Sequence, residues 1–217
     1  MRLSQPKPVR FHRTPAPITW IYPTLTWRVH TTASDIFLTF DDGPVPGPTE
    51  FVLDVLRQYS IKATFFCIGR NIEKNPRIFD RLGNEGHLTA NHTYDHVNGW
   101  KTATDEYVKN VKACRVLLKD SPLLFRPPYG KITPGKVKAL AEYRIVMWDV
   151  LTYDFDHTLS PELCLKGATD SIRPGSIVVF HDSYKAEKNM KFALPRFIED
   201  CQKRGFEFRT LDPGTRG

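Results

Sequence analysis

The chain has 217 residues, 41% of them hydrophobic and 25% charged, which suits one sizeable globular domain. No run approaches the roughly 20 apolar residues of a membrane-spanning helix, and residues 1–13 lack the apolar core of a secretory signal, so the sequence as written reads as cytoplasmic, with a cell-envelope location left open by a misplaced start. The net charge of +7 gathers at the N-terminus, where Arg2, Lys7, Arg10, Arg13 and Arg28 all precede the first acid, Asp35, but no recognition helix or ribonucleoprotein-like motif accompanies them and no nucleic-acid partner is expected.

Residues 1–17 are Pro-rich and basic, and read as an extended or mobile tail. Residues 18–22 and 25–30 are expected to pair as a hairpin around Pro23-Thr24, with Trp20, Tyr22 and Trp27 covering one end of the domain. Residues 1–34 thus form an arm and hairpin ahead of a domain at 35–217.

From Asp35 onward, strands and helices alternate. Strands are predicted at residues 36–40, 62–68, 87–90, 123–126, 144–148, 176–180 and 206–210. Helices are predicted at 49–59, 76–84, 104–119, 134–143, 161–172 and 190–204. The helix at 104–119 has Tyr107, Val108, Val111, Cys114, Leu117 and Leu118 on one face. Seven strands alternating with helices imply a parallel sheet, open or closed into a barrel. Cys67, Cys114, Cys164 and Cys201 are far apart and form no Cys-x-x-Cys, so they read as reduced thiols rather than as a disulfide framework or zinc site.

Five polar clusters follow strand ends. In Thr39-Phe40-Asp41-Asp42-Gly43-Pro44, an apolar strand runs into two carboxylates and a turn. Adjacent like charges are costly to bury unless a positive group is shared between them. A metal on one carboxylate and base catalysis by the other satisfy that need; two solvated aspartates are the plainer alternative. In Asn91-His92-Thr93-Tyr94-Asp95-His96, the two histidines are four apart. On a helical turn that spacing puts both imidazoles on one face, able to grip one cation, although two surface histidines on a helix share the spacing. Phe125-Arg126-Pro127-Pro128-Tyr129-Gly130 is a stiff segment with few backbone donors, so the Tyr129 amide is among the few free to meet a ligand, and Arg126 can orient a carboxylate. The stretch from Trp148 to Asp156 supplies Asp149, Asp154, Asp156 and several aromatics, enough to wall a site and orient a histidine. His181 emerges from the apolar run Val178-Val179-Phe180 and suits a general acid; a satisfied core histidine is the competing reading.

In this order, the five clusters resemble those of the polysaccharide deacetylases of the NodB homology type, carbohydrate esterase family 4. The likeness spans residues 35–211. It implies a distorted (β/α) barrel with about seven parallel strands, in agreement with the strand count above. It also implies a metal-dependent hydrolase that removes N-acetyl groups from a glycan containing N-acetylglucosamine. By the resemblance, Asp42, His92 and His96 bind a divalent metal, zinc or else cobalt or another transition metal. Asp41 is the base, held by Arg126. The Tyr129 backbone amide helps form the oxyanion site, and Asp154 orients His181, the general acid. Three positions depart from the family pattern: Leu151 replaces an Asp, Phe155 a Trp, and Val179 a Leu. These changes fall on the walls of the acetyl pocket. O-acetyl esterase activity on xylan-like polymers, and a sugar-binding module without catalysis, are the alternatives carried alongside.

Overall fold

The computed structural model describes residues 10–118 and 121–212. Residues 1–9 of the expected tail and Lys119 at the end of an expected helix lie outside the described residues.

β1 (Asp35–Asp41) is apolar on both faces, and that makes it a central strand. It is flanked by β2 (Thr64–Cys67) and β7 (Ile177–His181), both parallel to it. Beyond β2 lie β3 (Leu88–Asn91), β4 (Leu124–Phe125) and β5 (Arg144–Ile145); beyond β7 lies β6 (Val150–Leu151). β8 (Glu207–Arg209) pairs with the first half of β1. Every pairing in this curled sheet is parallel.

Eight helices accompany the strands among the described residues: α1 (Ala16–Ile21), α2 (Pro48–Gln58), α3 (Gly69–Lys74), α4 (Pro76–Asn84), α5 (Thr104–Leu118), α6 (Pro134–Ala139), α7 (Pro161–Ser171) and α8 (Glu187–Lys203). Side chains alternate across each strand. Ile36, Leu38 and Phe40 of β1 join Val178 and Phe180 of β7 in the larger core, with apolar residues of α2, α7 and α8. Phe37 of β1 and Ile177 of β7 face the other way, with Phe66, Ala90, Leu124 and Val146, inside the curl. The same alternation carries Thr39, Asp41, Val179 and His181 to the inner side, where each strand ends.

Three expectations need correction. The hairpin over 18–22 and 25–30 does not form: residues 16–21 are the helix α1, none of whose residues is buried. Pro17 in its first turn is pre-set for helical φ and loses no hydrogen bond there. The strand expected at 144–148 is β5 alone; β6 follows five residues later, at the opposite edge of the sheet, giving eight strands among the described residues where seven were counted. The short α3 had no counterpart in the sequence reading. Residues 12–14 are extended, one of the two readings of the tail, but they are not free: Arg13 bridges Val150 in an antiparallel sense. All four cysteines are buried and free, as expected. No helix among the described residues is long and apolar enough to cross a membrane.

Candidate active site

Asp41 is the last residue of β1 and is buried. A buried carboxylate needs a charged partner or a proton. Its partner is Arg126, fully buried just past β4, whose Nη1 donates to Asp41 Oδ1 at 2.7 Å. The guanidinium is fixed on every side. Nη1 also donates to Thr39 Oγ1 at 2.8 Å, Nη2 to the Met147 carbonyl at 2.9 Å and Nε to the Val146 carbonyl at 3.3 Å. Its carbon lies 4.0 Å from the centre of the Phe66 ring.

Asp42 turns the other way. Its φ of +85° is a left-handed conformation, and the next residue has no room for a side chain: a Cβ on Gly43 would lie 1.9 Å from Asp182 Oδ2. Asp42 Oδ1 sits 3.2 Å from His96 Nε2 and 3.7 Å from His92 Nε2. One ligand atom from each of these three residues lies within 4.8 Å of the others. The histidines do not converge on a helical turn, as the spacing suggested. Residues 92–97 form a bend in which Thr93 and His96 take φ of +64° and +57°. Asn91 Oδ1 accepts the Thr93 amide at 2.8 Å and Asn110 Oδ1 the amides of Tyr94 and Asp95, so side chains do for this loop what helix hydrogen bonds would have done.

The donor set fits a cation. His92 engages the Arg126 carbonyl through Nδ1 at 2.8 Å, which leaves Nε2 aimed at the cluster. Burial pushes the His92 pKa down to about 4 against the pull of Asp41 and Asp42, so the ring is neutral at physiological pH, the form that can bind a metal. Burial opposes the charge on Asp42, yet the hydrogen bond with His96 and the charges of His181 and His92 hold its carboxyl well below the usual range.

Across the site, His181 closes β7. Its Nδ1 lies 2.7 Å from Asp154 Oδ1, and its backbone amide donates to Asp154 Oδ2 at 2.7 Å. Burial would lower its pKa, but Asp154, with smaller help from Asp42 and Asp41, pushes it up to about 9. Phe155 packs edge-on against the imidazole at 4.9 Å. Of the three acids in this cluster only Asp154 reaches the histidine. Asp149 pairs with Arg173 and Ser176, and Asp156 with Arg10.

Asp41, Asp42, His92, His96 and His181 line one cavity of about 310 Å³, walled by Tyr129, Gly130, Trp148, Leu151, Phe155, Val179 and Lys185, with Arg126 and Asp154 behind it. Tyr129 takes a φ of +61° and lays its exposed ring 4.6 Å from that of His96. All eight candidate residues therefore meet at one end of the sheet, beyond the strand C-termini. The sequence reading missed three participants. Thr39 shares the arginine. Asp182 accepts the Gly43 amide at 3.0 Å and the Thr49 hydroxyl at 2.6 Å, tying down the turn behind Asp42. Lys185 holds its ammonium 5.3 Å from the Phe155 ring at the cavity mouth. Asp182 stands next to His181 in sequence, but its partners are 133 and 139 residues away, so no local pattern signals its role.

Comparison with known proteins decides the kinship. The polysaccharide deacetylase family model matches residues 28–148. The chain belongs to the polysaccharide deacetylase family. It is a hydrolase of that family, and the curled parallel sheet is the family's distorted barrel. A peptidoglycan-N-acetylglucosamine deacetylase of Bacillus cereus is 36% identical over 185 residues, covering 82% of this chain and 67% of its own. A chitooligosaccharide deacetylase of a Bradyrhizobium species is 34% identical over 194 residues, covering 81% of this chain and 88% of its own. The crystal structure of the Bc1960 peptidoglycan N-acetylglucosamine deacetylase, in complex with a naphthalenyl N-oxidanyl-benzamide, superposes with a TM-score of 0.85. It is 32% identical and covers 94% of this chain and 97% of that one.

Proposed function

We propose that this protein removes N-acetyl groups from poly- or oligosaccharides containing N-acetylglucosamine, with a divalent cation held by Asp42, His92 and His96. The observation that carries the reading is the placement of two differently prepared proton carriers, Asp41 on Arg126 and His181 on Asp154, beside that three-residue cluster in one cavity. Relatives named for deacetylating peptidoglycan N-acetylglucosamine and chitooligosaccharides support the substrate class.

A divalent cation in this place, with zinc as the proposed ion and cobalt as a working substitute, would polarise the acetamide carbonyl and acidify a water. Asp41, held still by Arg126, accepts the water's proton as the oxygen attacks the carbonyl carbon. The Tyr129 amide donates to the oxygen that becomes negative, a contribution of roughly 3–4 kcal/mol per donor in other hydrolases. His181 has Nδ1 occupied by Asp154, so Nε2 is the atom that delivers a proton to the departing nitrogen. An amine leaves only once protonated. The raised pKa of His181 keeps that proton available at neutral pH.

The test is acetate release from a panel of N-acetylated and O-acetylated glycans. Release from N-acetylglucosamine oligomers is expected to disappear with chelator and return with zinc or cobalt. Asp41→Asn is expected to abolish turnover, a loss on the order of a hundredfold or more, while metal binding measured by titration persists. A folded, metal-replete preparation that releases no acetate from any N-acetylated glycan overturns the reading. Release from O-acetylated xylan alone would move the substrate to an ester, and wild type and Asp41→Asn behaving alike would leave a binding module.

A further inference from the structure

The free edge of β6 is covered by residues 12–14. Thr14 donates its amide to the Asp149 carbonyl at 2.8 Å, and Leu151 donates its amide to the His12 carbonyl at 2.8 Å. Arg13 forms the bridge to Val150 between them. Side chains of the same segment add to this ladder. Thr14 Oγ1 donates to the Trp148 carbonyl at 2.7 Å, and His12 Nδ1 lies 3.0 Å from the Leu151 carbonyl. The His12 ring meets Tyr153 edge-on at 5.2 Å and fills a notch over Gly167 of α7, where a Cβ would come within 2.1 Å of its Nε2. Arg10 reaches further, with Nε and Nη2 at 2.8 and 2.6 Å from Asp156 Oδ2.

The grasped stretch, residues 148–156, is the one that carries the acid's partner. Between the two anchored ends lie Tyr153, with a φ of +58°, then Asp154 and Phe155, both packed on His181. A tyrosine in the left-handed region stays there only when its surroundings hold it. Closing the sheet edge needs only the backbone ladder at residues 12–14. The Arg10–Asp156 pair lies beyond that ladder, two residues past Asp154, on the far side of the strained turn.

We infer that residues 10–14 are a strap that positions Asp154 and Phe155 against His181, with Arg10 as a positioning residue for protonation of the leaving group. This rests on the deacetylase reading above. It follows that loosening the strap slows reactions in which the departing group needs a proton and spares those in which it does not. An acetamide needs His181 to protonate its nitrogen. In 4-nitrophenyl acetate the C–O bond breaks with its electron pair leaving as a stable phenolate, and no acid is required.

The experiment compares both substrates in the full-length, metal-loaded enzyme carrying Arg10→Gln, Arg10→Lys or Gly167→Ala. For Arg10→Gln, kcat for acetate release from an N-acetylglucosamine oligomer is expected to fall about tenfold, a fraction of what a general acid contributes. KM should change little, and the 4-nitrophenyl acetate rate, corrected for Asp41→Asn background, should match wild type. Arg10→Lys should recover most of the loss. Gly167→Ala, which drives the His12 ring from its notch, should give the same split from the middle of the strap. Parallel falls on both substrates would mark a merely structural segment and overturn the inference, as would unchanged kcat on the oligomer in Arg10→Gln. A wild-type enzyme inert toward every N-acetylated glycan sinks the deacetylase reading instead, so the two failures are distinguishable.

Discussion

Asp41 and Asp42 are neighbours that cannot share one environment, and each is given a different counter-charge. Asp41 lies on the strand face that meets Arg126; Asp42 leaves the strand in a left-handed conformation toward two histidines. The turn that separates them is held from behind by Asp182, which accepts the Gly43 amide and the Thr49 hydroxyl while Thr49 in turn accepts the Val45 amide. Burial, with Asp42 nearby, pushes the Asp182 pKa up to about 8 despite these bonds. The folded state thus keeps a proton on Asp182 that the unfolded chain releases near the ordinary carboxylate value. Its stabilising effect is complete below that ordinary value, about 4, and is lost as pH rises toward 8. Asp182→Asn can keep both contacts, because its amide oxygen accepts from Gly43 and its NH₂ donates to Thr49. Urea unfolding with chelator present is expected to show wild type losing stability relative to Asp182→Asn between pH 5 and 8, at up to about 1.4 kcal/mol per pH unit. Parallel pH profiles would show that Asp182 does not exchange its proton on unfolding.

Elements bring these residues together by different rules, and only some of the rules are local. β1 and β7 are apolar on both faces until their last residues, so the strands and the polar groups at their ends were legible. α4 has the predicted bounds because Pro76 opens it and the chain turns at Gly86. The arrival of His92 and His96 at one point was legible, but not its cause, since their loop is shaped by Asn91 and by Asn110 from α5. Residues 144–148 read as one strand because they are mostly apolar, but only β5 forms there, while β6, at the opposite edge of the sheet, falls in the stretch from Trp148 to Asp156 that reads as a polar cluster beyond a strand end. Between the two lies Trp148, a cavity wall, and the three-residue 3-10 turn Pro128–Gly130 supports it from the other side. Gly130 has a φ of +64°, and a Cβ there would lie 2.5 Å from the Trp148 ring. Gly130→Ala is expected to cost about 1–2 kcal/mol from the backbone alone. It should also push the indole into the cavity, raising KM for N-acetylglucosamine oligomers severalfold. Unchanged KM, with the expected drop in unfolding midpoint, would place Trp148 outside the substrate's path.

At the scale of the whole molecule, the N-terminal segment joins the two ends of the sheet. Thr26 donates its amide to the Ile145 carbonyl and accepts the Met147 amide beside β5, and Val29 donates to the Gly175 carbonyl ahead of β7. The described arginines of the basic stretch reinforce this closure, Arg10 through Asp156, Arg13 through the Ser171 carbonyl and Arg28 through the Pro174 carbonyl. The proposed cation site draws Asp42 from just past β1 and His92 and His96 from the loop after β3, two parts of the chain about fifty residues apart in sequence that come together only when the sheet has formed. An ion held there binds the folded state and not the unfolded one, and so stabilises the whole domain. At a free ion concentration a hundred times the Kd, the gain is about 2.7 kcal/mol, which for a chain of this size corresponds to a rise in Tm of about 5–10 °C. Thermal unfolding followed by circular dichroism is expected to show that rise on adding zinc to the chelated wild type. In His92→Ala the same addition should leave Tm unmoved, because the remaining Asp42 and His96 offer too few ligands for tight binding. An equal zinc-dependent shift in wild type and variant would place the stabilising ion elsewhere in the fold and remove the three-residue cluster from its role.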